Sequence, residues 1–302
     1  MKLLGYVDVE GNRCCGRLAG DQVETFTDHA DLIELVNAAE ETGRSLAEVG
    51  AASGVEAGPS LEQLRTGSGS GRPRLAVPLQ IPEAWGAGVT YRKSAEFRDE
   101  DMSAPTGIYD QVYLAERPEL FYKGDHRHAV GPGEAVTIRS DSEFTAPEPE
   151  LALVLASDGQ ILGYTLCNDN SAWDIERANP LYLPQSKVFY GCIAIGPVIV
   201  TADELPDPRA GELSARIVRD GAAIFSGRVD LGLIRRHFSD LVGHLTRNNP
   251  IHSGTILTTG TGIIVEEDCA VRDGDIVEIS HQVIGTLSNP VLKLDPGQRG
   301  PG

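Results

Sequence analysis

The stretch Thr145-Ala146-Pro147-Glu148-Pro149-Glu150-Leu151-Ala152-Leu153-Val154-Leu155 constrains this chain more than any other. Side chains alternate across a strand, so Glu148 and Glu150 share one face while Leu151, Leu153 and Leu155 share the other. Two prolines remove backbone donors, which places the start of this strand at an edge or a bulge. They also hold Ala146 and Glu148 extended. Two carboxylates fixed side by side, with no cation within two residues, repel unless water or a shared cation relieves them. A hard divalent ion with oxygen ligands is one partner for such a pair. A solvated acidic strand end is the other account.

A second acidic segment follows closely. Residues 156–160 read as a turn, and Gly163-Tyr164-Thr165-Leu166-Cys167-Asn168-Asp169-Asn170-Ser171 reads as a strand that ends before helix signals at Asp174, Glu176 and Arg177. Asp169 or Ser171 is then either a helix cap or, if the second strand returns alongside the first, a neighbour of the two glutamates. Two glutamates and one aspartate leave open positions on Mg²⁺ or Mn²⁺ for a substrate that chelates through two oxygens.

Composition narrows the partners. Lys+Arg 26 against Asp+Glu 44 gives a formal charge of −18, which excludes nucleic acid and anionic membrane surfaces, since phosphate affinity rests on clustered cations. No run approaches the roughly 20 apolar residues of a membrane-spanning helix, and the first residues lack a signal-peptide core. Five cysteines without paired ligand spacing argue against a disulfide framework and for a cytoplasmic protein. Cys167 and Cys192 lie in apolar runs and read as buried small hydrophobes.

The chain divides into two expected units. Residues 1–72 read as a small N-terminal α+β domain and linker, with short strands broken at residues 10–12 and 19–21. A helical stretch follows, with Leu32, Leu35 and Val36 on one face, and residues 67–73 are the most linker-like. Residues 73–302 read as a β-rich body, with a hairpin signal at Arg219-Asp220-Gly221. One helix is expected around Leu231, Ile234, Phe238, Leu241 and Leu245.

Taken in order, the Glu-x-Glu strand, the Gly-Tyr-Thr-x-x-Asn-Asp-x-Ser-Ala-x-Asp segment, a lysine, Thr259-Gly260-Thr261 and residues 285–291 (GTLSNPV) resemble the fumarylacetoacetate hydrolase superfamily over residues 78–292. The resemblance implies a β-rich α+β fold, with a rolled mixed β-sheet in the catalytic domain, a homodimer or higher homo-oligomer, and bound Mg²⁺ (or Mn²⁺). Its metal ligands fall on Glu148, Glu150 and Asp169, its active-site lysine on Lys187, and substrate-binding groups on Thr261 and Ser171. The segments GVTY, IYDQVYLAERPELFYK, RSDSEFTAPEPELALVL, NPLYLPQSK and ILTTGTGI are closer to the branch of 2-keto-3-deoxy-pentonate dehydratases. That branch implies a metal-dependent hydro-lyase acting on a small anionic 2-oxo acid, with Glu119 as a further acid or base.

Three departures stand out. Ser94 lies near the position where hydrolytic relatives carry a water-activating histidine. Trp173 stands where the family has an arginine. His126 and His128 are unusual for their loop, as substitute charge or as a solvated turn. Several residues carry two readings. Lys187 is a proton carrier with a pKa lowered by desolvation and a nearby dication, or a fixed cation. Glu119 is an acid or base, or the ion-pair partner of Arg117 or Lys123. Thr261 binds a carboxylate or only makes a turn, and Glu278 orients an active-site group or none. Two other functions stay open: a hydrolase, decarboxylase or specialised biosynthetic enzyme acting on an acylpyruvate-like or other substrate, and a non-catalytic binding protein.

Overall fold

A computed structural model describes residues 1–67, 69, 71–101 and 107–298. The architecture is β-rich α+β with few helices and two large mixed sheets. The strand Pro149–Leu155 runs through the middle of the larger sheet, between Ile161–Asp169 and Thr255–Thr258. Pairing with Thr255–Thr258 begins only at Ala152, so Pro149 costs that side no ladder bond. Parallel pairs, Ala84–Gly88 on Thr255–Thr258 and Ala129–Val130 on Ile193–Thr201, make the sheet mixed.

The strand pattern predicts its own burial. Leu151, Leu153 and Leu155 pack with Leu213, Ile217, Val277 and Ile279 of the five-stranded second sheet. On the opposite face Ala152 and Val154 pack with Leu32, Leu35 and Val36 of the helix Leu32–Thr42. That helix starts at Asp31, whose carboxylate accepts from Ile33 N–H, and ends at Gly43 with φ 64°. The N-terminal strands belong to the same large sheet, because Lys2 and Leu3 pair with Val200 and Ile199. Residues 68 and 70 of the linker-like stretch lie outside the described residues.

The hairpin at Asp220-Gly221 is present, with both residues at positive φ as a two-residue type I′ turn requires. The expected long helix is not continuous. A 3₁₀ turn at Leu231–Leu233 and a helix at Phe238–Leu245 flank an extended break, although the five apolar residues are all buried. Arg235 N–H donates to Thr90 C=O, and both Arg235 and Arg236 reach outward to other carbonyls. Those bonds replace helical ones.

The carbonyls they reach belong to the end of the helix Ile108–Leu114. Arg235 binds Tyr113 C=O, and Arg236 binds Glu116, Ala115 and Val112 C=O at 2.8, 2.8 and 3.1 Å. Arg92–Asp101 precedes that helix, and Asp99 accepts from Tyr109 and Asp110 N–H at its start. The two helices share a small apolar cluster of Val89, Ala95 and Tyr109, apart from the main cores. All five cysteines are free, and Cys167 and Cys192 are buried. No described helix is long and apolar enough to cross a membrane.

Candidate active site

The hairpin register builds the acidic centre. Glu150 pairs with Cys167, and Asp169 N–H donates to Glu148 C=O at 2.9 Å, so Asp169 lies across from Glu148. Glu148, Glu150 and Asp169 are buried, and each offers an oxygen within 4.8 Å of the others. Asp169 caps no helix: the next one, Trp173–Ala178, is preceded by Ala172.

Three buried cations surround the carboxylates. The Lys187 ammonium donates to Glu148, Asp169 and Ser171 at 3.0, 3.1 and 2.7 Å. Lys123 pairs with Asp169 at 2.6 Å and donates to Asn170 C=O at 3.0 Å. Arg98 donates to Glu148 at 3.0 Å and also pairs with Glu176. Glu150 accepts from Gly260 N–H at 2.6 Å and forms no ion pair among the described residues. Gly260 sits at φ +86°, and an added Cβ would meet Thr90 Oγ1 at 2.1 Å, so a larger residue there would displace that donor.

Glu119 lines the same cavity, with Ala87, Gly88, Val89, Phe121, Leu183 and Thr261. Its carboxylate rests against Gly88, where an added Cβ would lie 2.0 Å from Oε2. Val89 beside it holds φ 54°, a strained conformation for a β-branched residue and common in active-site walls. Neither expected ion pair of Glu119 forms, since Lys123 is spent on Asp169.

Electrostatics separates these groups. Burial, then Asp169 and Glu148, push the Glu150 carboxyl up to about 8. Burial also pushes Glu119 up to about 7, against the pull of Arg98. For Asp169 burial works against the charge, but Lys123 and Lys187 hold the carboxyl below its ordinary value. Lys187 departs from the expectation of a lowered pKa. Burial alone would lower it, yet Asp169 and Glu148 hold it well above the ordinary lysine value. It is therefore a persistent ammonium in this arrangement.

The remaining candidates sort by position. Ser171 is buried behind Lys187, whose proton it accepts, and is absent from the cavity wall. Thr261 lines the cavity while its hydroxyl bonds Ile263 N–H and C=O at 3.2 Å, a turn contact. Trp173 is buried, stacked on Phe97 and beneath the Arg98 guanidinium at 4.5 Å, with its indole N–H on Asp101 at 2.8 Å. His128 pairs with Asp125 at 3.1 Å and His126 is exposed; neither lines the cavity. Glu278 pairs with Arg216 on the second sheet. Lys123, Arg98 and Glu176 had not been singled out as site residues. Lys123 was within reach, because Glu119, Phe121 and Lys123 alternate onto one face of their strand.

The donor set suits a hard dication. Three carboxylates converge, oxygen donors are what Mg²⁺ and Mn²⁺ prefer, and the charges are out of balance. Glu119, Glu148, Glu150, Asp169 and Glu176 face Arg98, Lys123 and Lys187, which leaves two negative charges when every carboxylate is ionised.

Residues 84–292 match the model of the fumarylacetoacetate (FAA) hydrolase C-terminal family. The chain belongs to this family. It is 49% identical over 223 residues to the 2-dehydro-3-deoxy-D-arabinonate dehydratase of Saccharolobus solfataricus, covering 73% of this chain and 75% of that one. It is 43% identical over 218 residues to a probable 2-keto-3-deoxyxylonate dehydratase of Haloferax volcanii, covering 72% and 75%. Among solved structures it resembles 2-keto-3-deoxy-D-arabinonate dehydratase complexed with magnesium and 2,5-dioxopentanoate. The TM-score is 0.85 at 40% identity, over 97% of this chain and 99% of that one. The chain is thus an enzyme of the hydro-lyase kind within its family.

Proposed function

We propose that the chain is a divalent-metal-dependent dehydratase of a 2-keto-3-deoxy-pentonate, taking 2-keto-3-deoxy-arabinonate to 2,5-dioxopentanoate with loss of one water. The observation that carries this reading is the buried triad Glu148, Glu150 and Asp169, in a site whose five carboxylates outnumber its three cations, with Glu119 titrating near neutrality in the same cavity. Residues 73–302 supply every group of the site, and residues 1–72 act as the small N-terminal domain that braces the sheet. A homo-oligomer is part of this reading, and five free cysteines suit a reducing cytoplasm.

Glu148, Glu150 and Asp169 would hold Mg²⁺ or Mn²⁺. Bound there, the ion supplies Lewis acidity toward the carboxylate and ketone oxygens of a 2-oxo acid, which acidifies C3–H. Glu119 takes the C3 proton and returns it to the C4 hydroxyl, which leaves as water. One group serves both directions because its pKa lies near working pH. The product of that step has a C3–C4 double bond and a C5 alcohol. Moving one proton from C5 to C3 gives the C4–C5 enol, and moving the enol hydroxyl proton to C4 gives the 2-oxo aldehyde. Lys187 lies against Glu148 and Asp169 and offsets their charge, with Ser171 fixing its direction. Thr261 shapes the wall where the substrate lies.

Hydrolysis of an acylpyruvate is the weaker reading. Ser94 is buried and accepts from Arg98 Nε at 3.3 Å, so the position offers no base to activate water. The test is incubation with Mg²⁺ and 2-keto-3-deoxy-arabinonate, read by mass spectrometry beside a chelator control. Metal-dependent loss of one water is the expected result. Carbon–carbon cleavage would move the assignment to the hydrolases, and binding without turnover would favour a non-catalytic protein.

A further inference from the structure

Three cations stand at the carboxylate centre, and they differ in what they have left to offer. Lys123 is fully buried, committed to Asp169 and Asn170, and absent from the cavity wall. Lys187 does line the cavity, but an ammonium has three donors and all three are spent, on Glu148, Asp169 and Ser171. Arg98 lines it too, and a guanidinium has five N–H groups. Among the described residues three go to Ser94, Glu148 and Glu176, which leaves two.

The side chain is also aimed with care. Its Cζ lies over the Trp173 ring, 4.5 Å from the centroid, and the Tyr109 ring centroid is 5.8 Å from the same carbon. Trp173 is in turn fixed by Phe97 and Asp101, which lie on the same helix as Arg98. Stacking of this kind orients a planar fork and reduces the rotamer freedom lost when it binds. A cation needed only to neutralise Glu148 and Glu176 would require no such platform.

We infer that Arg98, held over the Trp173 ring, is the group that binds the carboxylate of the 2-oxo acid and so selects an anionic substrate. The inference rests on the reading of this cavity as a 2-oxo acid site. The two unspent N–H groups form charge-assisted hydrogen bonds to a carboxylate, and Trp173 is a positioning residue that acts through Arg98. A lysine at 98 would keep the charge and lose the fork. An uncharged 2-oxo amide would gain nothing from either.

The experiment is calorimetric titration of the Mg²⁺-loaded protein with pyruvate and, separately, with pyruvamide, alongside titration of the metal-free protein with Mg²⁺. The wild type should prefer pyruvate by at least about tenfold, a difference within the strength of one charge-assisted contact. Arg98→Gln should erase that preference and raise KM for the sugar acid far more than it lowers kcat, while Mg²⁺ affinity moves by less than about tenfold, the lower limit for loss of a group supporting a ligand. Arg98→Lys and Trp173→Phe, which are gentler on the fold, should reduce the preference in part. The inference is overturned if the wild type shows no preference, if these variants retain it in full, or if Arg98→Gln lowers Mg²⁺ affinity as much as pyruvate affinity. Turnover of a different substrate with an intact Arg98-dependent preference would unseat the proposed dehydration and leave this inference standing.

Discussion

Glu150 and Glu278 stand on strands of two packed sheets, each in an alternating pattern, and they meet opposite fates. On the second sheet, Glu278 faces Arg216 across one strand spacing, and water reaches both. On the large sheet, Glu150 is buried beside two other carboxylates and receives a single backbone N–H. Sequence alternation assigns a face to each glutamate, but which face is dry depends on what packs over it. An exposed acid with a cross-strand arginine is locally satisfied and contributes little. A buried acid without a cation is a standing demand for one.

The sharpest way to break this contrast is Glu150→Gln. In the wild type, Mg²⁺ at a hundredfold above its Kd adds about 2.7 kcal/mol of stability. That raises Tm by several degrees in a chain of this size. The variant should lose that response in a thermal melt and lose turnover on the order of 10³-fold. An unchanged melting response would remove Glu150 from the ligand set.

Glu119→Gln tests the second unpaired acid. It should lower kcat on the order of 10²- to 10⁴-fold while keeping the Mg²⁺ response. Wild-type kcat/KM should climb with pH through about 7, as the carboxylate loses its proton, and the variant should lose that rise. The sign for stability is the reverse. A carboxyl raised by burial binds its proton more tightly when folded, so its contribution is greatest below the unfolded value of about 4.3. It then falls as pH climbs through about 7. A melt series from pH 4 to 8, compared with the variant, reads this directly.

Glu278→Gln should do least. Loss of an exposed pair with Arg216 is expected to cost less than about 1 kcal/mol and leave turnover intact. A large loss of activity would mean that the second sheet holds part of the site.

Much of the centre was legible because it is local. The turn at residues 156–160 and the two alternating strands put Asp169 within one step of facing Glu148 by counting, and the register shift between Val154 and Leu155 supplies that last step. Lys123 was equally countable from Glu119, two steps along one strand face. Arg98 was not. Its helix, RKSAEFRDED, carries too few apolar residues to announce a buried face, and its contacts to Glu148 and Glu176 lie 50 and 78 residues away. The break at Arg235 escaped for a similar reason: the apolar spacing fits a helix, while the bonds that prevent one go to a distant segment.

The two helices Arg92–Asp101 and Ile108–Leu114 have a further consequence. They are fastened differently: Arg92–Asp101 by Arg98, Asp101 and the Phe97 ring on buried Trp173, and Ile108–Leu114 largely by the carbonyls that Arg235 and Arg236 hold. The exposed bonds from Arg235 and Arg236 trade for water at small net cost, whereas freeing Arg98 would leave Glu148 and Glu176 buried without it. The outer helix Ile108–Leu114 should therefore loosen first, and its amides should exchange with solvent well before those of Pro149–Leu155.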